Sequence, residues 1–272
     1  MTERLELSEL IARIPSGTKL AVPVDYAGVS MAGTAEIIRQ KIGGLHLICV
    51  PTGGMQVDIL VGAGLVACVE TSAVSLGEAG GAPCFNRAVK QGSIRLVDAT
   101  CPAIHAGLIA AQKGVPFLPI RGLIGSDVFN NRADWKLIDN PFGEDDPIVL
   151  IPAIQPEYAL FHAPLADKFG NVWIGRRREL ATMAYAAKHT LITVEKITDD
   201  NLLDDEVMAA GVLPSLYVDA IAHVAGGATP YGVWGEYPAD SEEIAKYAKA
   251  AQTQEGFAEY LASAAWIQET YS

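Results

Sequence analysis

Over the first 120 residues, short apolar runs alternate with stretches of helical periodicity. KLAVPV (19–24) precedes AGTAEIIRQKI, LHLICVP (45–51) precedes MQVDILVGAG, LVACVET (65–71) precedes a helical stretch near Phe85 to Lys90, and IRLVDA (94–99) precedes PAIHAGLIAAQKG. Each run has strand length and is apolar nearly throughout, the mark of a parallel strand covered on both faces. Strand followed by helix, repeated, predicts an α/β fold: an open, mainly parallel sheet with helices on both faces. Gly43-Gly44, Gly62/Gly64 and Gly114 stop the helical runs, and VPFLPI (115–120) reads as the next strand.

The pattern then lapses. From Asn130 to Asp146 the chain is polar and rich in turn formers (NNRADW, DNPFGEDDP), which predicts a surface excursion too short for a domain linker. Strands resume at IVLIPA (148–153), YALFHAPLA (158–166), NVWIG (171–175) and TLITVEKI (190–197), with RRELATMAYAAK as a helix between the last two. The stretch SEEIAKYAKAAQTQEGFAEYLASAAWIQETY reads as amphipathic helix throughout, opened by the Asp240/Ser241 cap signal with Glu243 near the third helical position. No fixed-period repeat or low-complexity segment interrupts the chain, and residues 1–272 read as a single domain.

Composition narrows the function. Of the 272 residues half are hydrophobic and 19% charged, which excludes disorder, and the formal net charge of −12 leaves no basic face for nucleic acid or an anionic membrane. Cys49, Cys68, Cys84 and Cys101 form no C-x-x-C pair, so neither a disulfide framework nor a metal site is signalled. MTERLELSELIARI carries charges at helical spacing rather than a signal-peptide pattern, and no apolar run reaches spanning length. A soluble, cytoplasmic protein is expected.

In an open parallel sheet, ligands gather at the carboxyl ends of the strands. VPVDYAGVSMAGTAE (22–36) runs strand, turn, helix, and Gly28 and Gly33 would let backbone amides face a ligand; the spacing matches neither a dinucleotide fingerprint nor a phosphate loop. PTGGM (51–55) repeats the arrangement with Thr52, Gly53 and Gly54, either as a pocket floor or as a tight turn. Glu70, near the end of the third strand, is a candidate pKa-shifted acid, or else caps the next turn or pairs with Arg87.

LVDATCPAIHAG (96–107) places Cys101 and His105 four apart, with Pro102 in the first helical turn, on one helix face. A thiol at a helix N-terminus is favoured as thiolate, yet catalytic Cys/His pairs usually come from separate elements, so the pair alone is weak support for a dyad. His162, His189 and His223 lack ligand spacing and read as core or rim histidines. Arg176–Arg178 form a basic run suited to a phosphate-bearing ligand, a partner's acids or a solvated turn.

LIDNPFGEDDPIVLIPAIQPEYALFHAPLADKFGNVWI (137–174), AAKHTLITVEKI (186–197) and LPSLYVDAIAHVAGGATPYGVWGEY (213–237) together resemble the A (α) subunit of type I coenzyme A transferases, nearest the glutaconate CoA-transferase branch. VPFLPIRGLIGSD (115–127) and TQEGFAEYL (253–261) fit the same pattern in the same order. The resemblance implies a ribose-phosphate-isomerase/CoA-transferase-like fold in which A and B subunits share a site at their interface. It also implies that the nucleophile is a glutamate of the B (β) subunit, which attacks the acyl-CoA and carries the coenzyme A as a thioester. Two positions depart from the family. Val22-Pro23-Val24 stands where the family carries a glycine-rich element whose amides stabilise the thioester oxyanion, and proline has no amide hydrogen. Cys101 stands where the transferases carry glutamine in the corresponding chain and a ring-cleaving hydrolase branch carries a catalytic glutamate.

The expectation is therefore the A chain of a heteromeric enzyme that moves coenzyme A between an acyl-CoA and a small carboxylic acid. The acyl-CoA is a substrate, with no permanently bound cofactor and no metal. Its own site residues are expected to be Tyr26, Gly28, Ser30, Thr52, Gly53, Gly54, Gly125 and Ser126 for substrate binding, with Cys101 and Glu70 as catalytic candidates. Two rivals are an acyl-CoA hydrolase or ring-cleaving lyase on the same scaffold, and a non-catalytic module sensing an acyl-CoA or sugar phosphate.

Overall fold

The computed structural model describes residues 2–268. Its first half alternates as the pattern predicts: β1 (Glu3–Arg4), α1 (Leu7–Ile11), β2 (Lys19–Pro23), α2 (Met31–Arg39), β3 (Leu45–Val50), α3 (Met55–Gly62), β4 (Val66–Thr71), α4 (Pro83–Gln91), β5 (Arg95–Asp98) and α5 (Cys101–Lys113). Then come β6 (Phe117–Ile120), α6 (Asp127–Asn130), β7 (Lys136–Asp139), β8 (Pro147–Pro152), β9 (Tyr158–Asp167), β10 (Val172–Trp173), α7 (Arg178–Ala186) and β11 (His189–Thr198). The chain continues through α8 (Glu206–Ala209), β12 (Val212–Leu213), β13 (Ala220–His223), α9 (Ser241–Ala250), α10 (Gln254–Ser263) and α11 (Ala265–Gln268).

The main sheet runs β1-β13-β11-β9-β2-β3-β4-β5, parallel at every step, with β10 antiparallel beside β9 and β12 beyond it. Chain order reverses between β2 and β9, so this is where crossover helices depart in opposite directions and a crevice opens. The two strands pair at Leu20–Tyr158 and Ala21–Ala159 and then part. Pro23 ends β2 without an amide hydrogen to offer.

One face of the sheet is sealed by α5 and α7, whose Ile104, Leu108, Leu180 and Met183 join Ile48, Phe161 and Ile192 in a single core. On the other face α1 to α4 bury Leu10, Ile37, Leu60 and Phe85 against Leu20, Leu47 and Val69. A third layer lies outside α2 and α3, where Met31 and Ile59 meet Tyr247, Phe257, Tyr260 and Trp266 of α9 to α11. The double cover accounts for α3, which is buried from Met55 to Val61 and hydrophobic on every side.

Two local readings change. VPFLPI is a strand but leaves the main sheet: β6 pairs antiparallel with β8, and β8 with β7, in a separate three-stranded sheet. The polar stretch 130–146 accordingly holds β7 rather than loop alone. Residues 241–268 are helical but broken into α9, α10 and α11, and residues 269–271 of the predicted run lie outside the described residues. Asp240 caps α9 by accepting from the Glu243 amide at 2.9 Å, as its position predicts.

Asp58 ties these layers together. Fully buried on α3, it accepts from the Phe85 amide (2.7 Å) at the start of α4 and from the Tyr247 hydroxyl (2.6 Å) of α9. Asp58→Ala orphans both donors and is expected to lower unfolding stability by about 3 kcal/mol, while Asp58→Asn, which keeps one acceptor, loses less. Urea denaturation midpoints test this, and equal losses in the two variants would remove Asp58 as the tie.

Candidate active site at the β2/β9 switch point

The crevice lies at the carboxyl ends of β2 and β3, a cavity of about 340 Å³ walled by Val24, Tyr26, Pro51, His105, Arg178 and Glu179. Each wall comes from the turn after a strand or from the first turns of a helix, so the amino ends of α5 and α7 border it and favour anionic groups. Tyr26 is 74% exposed, and its carbonyl accepts from Arg177 Nε at 3.3 Å, which fixes the basic run beside the crevice. Burial lowers the pKa of Arg177 from its usual value. His105 is also lowered by burial, against the opposing pull of Glu179.

Cys101 opens α5 and is exposed. Its sulfur lies 3.2 Å from Ser72 Oγ, and that hydroxyl donates to the Pro51 carbonyl at 2.8 Å. Among the described residues its hydrogen-bond partner is thus Ser72 rather than His105, so the i, i+4 spacing makes no dyad. Val22 and Pro23 lie buried within β2, and only Val24 of that departing element reaches the crevice wall.

Several glycines and serines expected to face a ligand face protein instead. Gly28 has φ +91°, and a β-carbon on it would fall 2.1 Å from the His162 carbonyl; its own carbonyl accepts from His162 N at 2.7 Å. It rejoins β2 to β9 beyond their splay. Ser30 is fully buried, caps α2 at the Gly33 amide and bonds Thr193 Oγ1 at 2.8 Å. Gly53 bridges backbone to Ala73 and Ser75, and Thr52 beside it is half-buried. Gly125 (φ +77°) and Ser126, which caps the short α6, sit on the excursion after β6.

Glu70 pairs with Arg132, not Arg87: Arg132 Nη2 donates to its Oε1 at 3.0 Å and also holds Asp134, while Nη1 bonds the Asp98 carbonyl. Arg87 instead bonds the Ala251 carbonyl. Burial raises the Glu70 pKa and Arg132 partly offsets that. Glu70 lines a different and larger cavity, about 770 Å³, with Lys19, His46 and Arg95 on the open face of β3 to β5. That cavity crosses mid-strand positions and its acids are already paired, so the smaller crevice at the strand ends is the better candidate for chemistry.

Two groups carry no signature in the sequence that singled them out. Asp25, the residue after Val24, lays its carboxyl over Gly54 at the start of α3; a β-carbon on Gly54 would fall 1.5 Å from its Oδ1, so only glycine fits. That Oδ1 is sealed from solvent with no partner among the described residues. Burial raises its pKa to about 6, against the Tyr231 hydroxyl beside it, which also accepts from the Met55 amide at 2.8 Å. An acid ending a parallel strand was the available signal, the same one that marks Glu70. The second group is buried behind Gly28. His162 Nδ1 bonds Thr193 Oγ1 at 2.8 Å and Nε2 bonds Glu195 at 2.6 Å, and Glu195 also accepts from the Tyr237 hydroxyl and the Gly226 amide. Burial alone would raise Glu195; the bonds from His162, Tyr237 and Gly226 hold it below the usual carboxylate range. His162 is thus a satisfied core histidine.

The coenzyme A transferase family model matches residues 4–223. The A chain of a 3-oxoadipate CoA-transferase from Pseudomonas knackmussii is 30% identical over 280 residues, covering 99% of this chain and 93% of the relative. An uncharacterized Archaeoglobus fulgidus protein is 34% identical over 240 residues, 87% of this chain but 53% of its own length, so the chain spans about half of that relative. The crystal structure of glutaconate CoA-transferase from Acidaminococcus fermentans superposes with a TM-score of 0.90 at 25% identity, covering 99% of this chain and 90% of that one. The chain belongs to the coenzyme A transferase family. Within it, the likeness is to the A chains of two-chain transferases and runs nearly end to end.

Asp25 sets a pH dependence whose sign is fixed. An unfolded aspartate titrates near 3.9, whereas the folded one holds its proton up to about 6. Stability is therefore lost as pH rises between those values, and the full cost is present above about 6. Asp25→Asn is expected to be more stable than the parent at pH 7.5 and to lose that advantage at pH 4. A stability difference that stays constant across this range would show that Asp25 is not buried as an acid.

Proposed function

We propose that this chain is the A component of a heteromeric CoA-transferase that moves coenzyme A between an acyl-CoA and a small carboxylic acid, with the nucleophilic glutamate supplied by a B component. The observation that supports this best is the one-sided crevice. Tyr26 and Cys101 stand exposed at the switch point, and two helix amino ends border a cavity far too small to enclose an acyl-CoA. Such a half-site binds and orients; the second wall completes it.

The partner's carboxylate attacks the thioester carbonyl, the oxyanion collapses with loss of the coenzyme A thiolate, and that thiolate attacks the resulting anhydride at the glutamyl carbonyl. The acyl group leaves as a carboxylate, and the acceptor acid runs the same steps in reverse. In this chain, Cys101 and Ser72 face the reacting carbonyl, and Arg178 and the α5 and α7 amino ends receive the carboxylate that enters or leaves. The Pro23 departure leaves oxyanion stabilisation to groups outside the β2 end.

Borohydride reduction of the assembled enzyme with acyl-CoA is expected to convert one glutamate of the partner to the alcohol. Glu179→Gln in this chain leaves that adduct in place; an adduct on this chain, or turnover by the isolated chain, overturns the assignment. Cys101→Ala is expected to lower kcat/KM of the assembled enzyme by about tenfold, as loss of a weak donor at a reacting oxygen does. Ser30→Ala should instead cost about 1 kcal/mol of stability, as loss of a helix cap does, with turnover kept. Equal kcat/KM for the Cys101→Ala enzyme and the parent would remove the thiol from the site.

A further inference from the structure

The three-stranded sheet β6-β8-β7 is apolar on both faces, which a sheet with one face in water is not. Residues directly opposite one another in an antiparallel ladder share a face. Leu118 and Ile120 oppose Ile151 and Val149 and pack into the core beneath. The opposite face is made by Phe117 opposite Pro152, Pro119 opposite Leu150 and Ile138 opposite Ile148. Phe117 is 42% and Ile138 39% exposed there.

At the tip of the β7–β8 hairpin Phe142 is 97% exposed, on a turn that is held rather than loose. Arg121 grips Asp146 with two bonds of 2.8 and 2.7 Å, Asn140 donates to the same carboxylate, and the Phe142 amide donates to Asn140 Oδ1 at 3.0 Å. A fixed turn presenting a bare aromatic ring is the form of an interface anchor. Around it stand Asp139, Glu144, Asp145 and Asp146 in a chain of net charge −12. In a two-fold dimer the same patch meets itself, so these acids would oppose their own copies. The chemistry that fits is an apolar pocket with a Lys/Arg rim on a different protein.

We infer that the outer face of the three-stranded sheet and its Phe142 tip dock the second chain of the enzyme through an apolar surface rimmed by basic residues. The inference rests on the two-chain transferase proposed for this protein and adds where the partner sits. The same excursion carries Arg132, which bonds the end of β5 just before Cys101, so a partner seated here is anchored next to the crevice it completes.

The test measures the dissociation constant of this chain and its co-purified partner by native mass spectrometry for Ile138→Glu and Phe142→Glu, with Leu216→Glu as the control at an exposed apolar residue outside the patch. The expected result is at least tenfold weaker association for the first two and no change for the third, with the circular dichroism and melting of each free variant like the parent's. Unchanged affinity overturns the inference, as does a patch whose mutation separates identical chains, or a parent chain that recruits no second protein. Failure of the transferase proposal shows separately, as a parent complex that assembles but forms no glutamyl thioester.

Discussion

The structure depends on the parting of β2 from β9. The strands pair at Leu20–Tyr158 and Ala21–Ala159, then separate as the chain leaves β2 toward one face and β9 belongs to the half that runs the other way. The gap must close again to keep the sheet continuous, and it does so through one backbone bond, His162 N to Gly28 O at 2.7 Å, at a residue with no room for a β-carbon. The crevice is what lies between. Its walls are the first residues past β2 and β3 and the first turns of α5 and α7, so its shape follows from sheet topology more than from any single side chain.

Beneath those walls, polar groups are fixed instead of free. Ser30, Thr193, His162, Glu195 and Tyr237 form one buried chain of bonds that joins the loop after β2 to β11 and to the segment before α9. A network satisfied at each of these links makes its neighbourhood rigid, and a partly satisfied one is costly. Asp25 is the exception, a carboxyl with one sealed, unpaired oxygen set over Gly54. The family position here is glycine-rich, and this chain has filled it with Val22-Pro23-Val24 and an acid whose proton is held up to about 6.

How much of this the sequence revealed follows from which forces are local. Uniformly apolar runs report burial on both faces, and β2, β3, β4 and β5 stand where KLAVPV, LHLICVP, LVACVET and IRLVDA place them. Caps report themselves too, as Asp240 does. The side of the chain that a residue faces is not local. Ser30 and Gly28 carry the residue types of a ligand loop, but the approach of β9 and β11 turns them inward, and that approach is set by His162 and Thr193, far along the chain. Glu70 looked available to Arg87 because the two are near in sequence; the fold brings Arg132 instead.

The three-stranded sheet shows the same limit from the other direction. KLID within a polar stretch gives too short and too mixed a signal to read as a strand, and it becomes one because β8 supplies the ladder. Once paired, its composition is informative: Phe117, Pro119, Ile138 and Leu150 make an outer face that water alone does not explain. A chain whose crevice lacks a wall and whose small sheet lacks a cover is incomplete in two places on the same side of β5. One partner surface satisfies both, because Arg132 links the excursion to the Asp98 carbonyl, three residues before Cys101. The acidic charge that keeps the chain from associating with itself is then also what selects the partner.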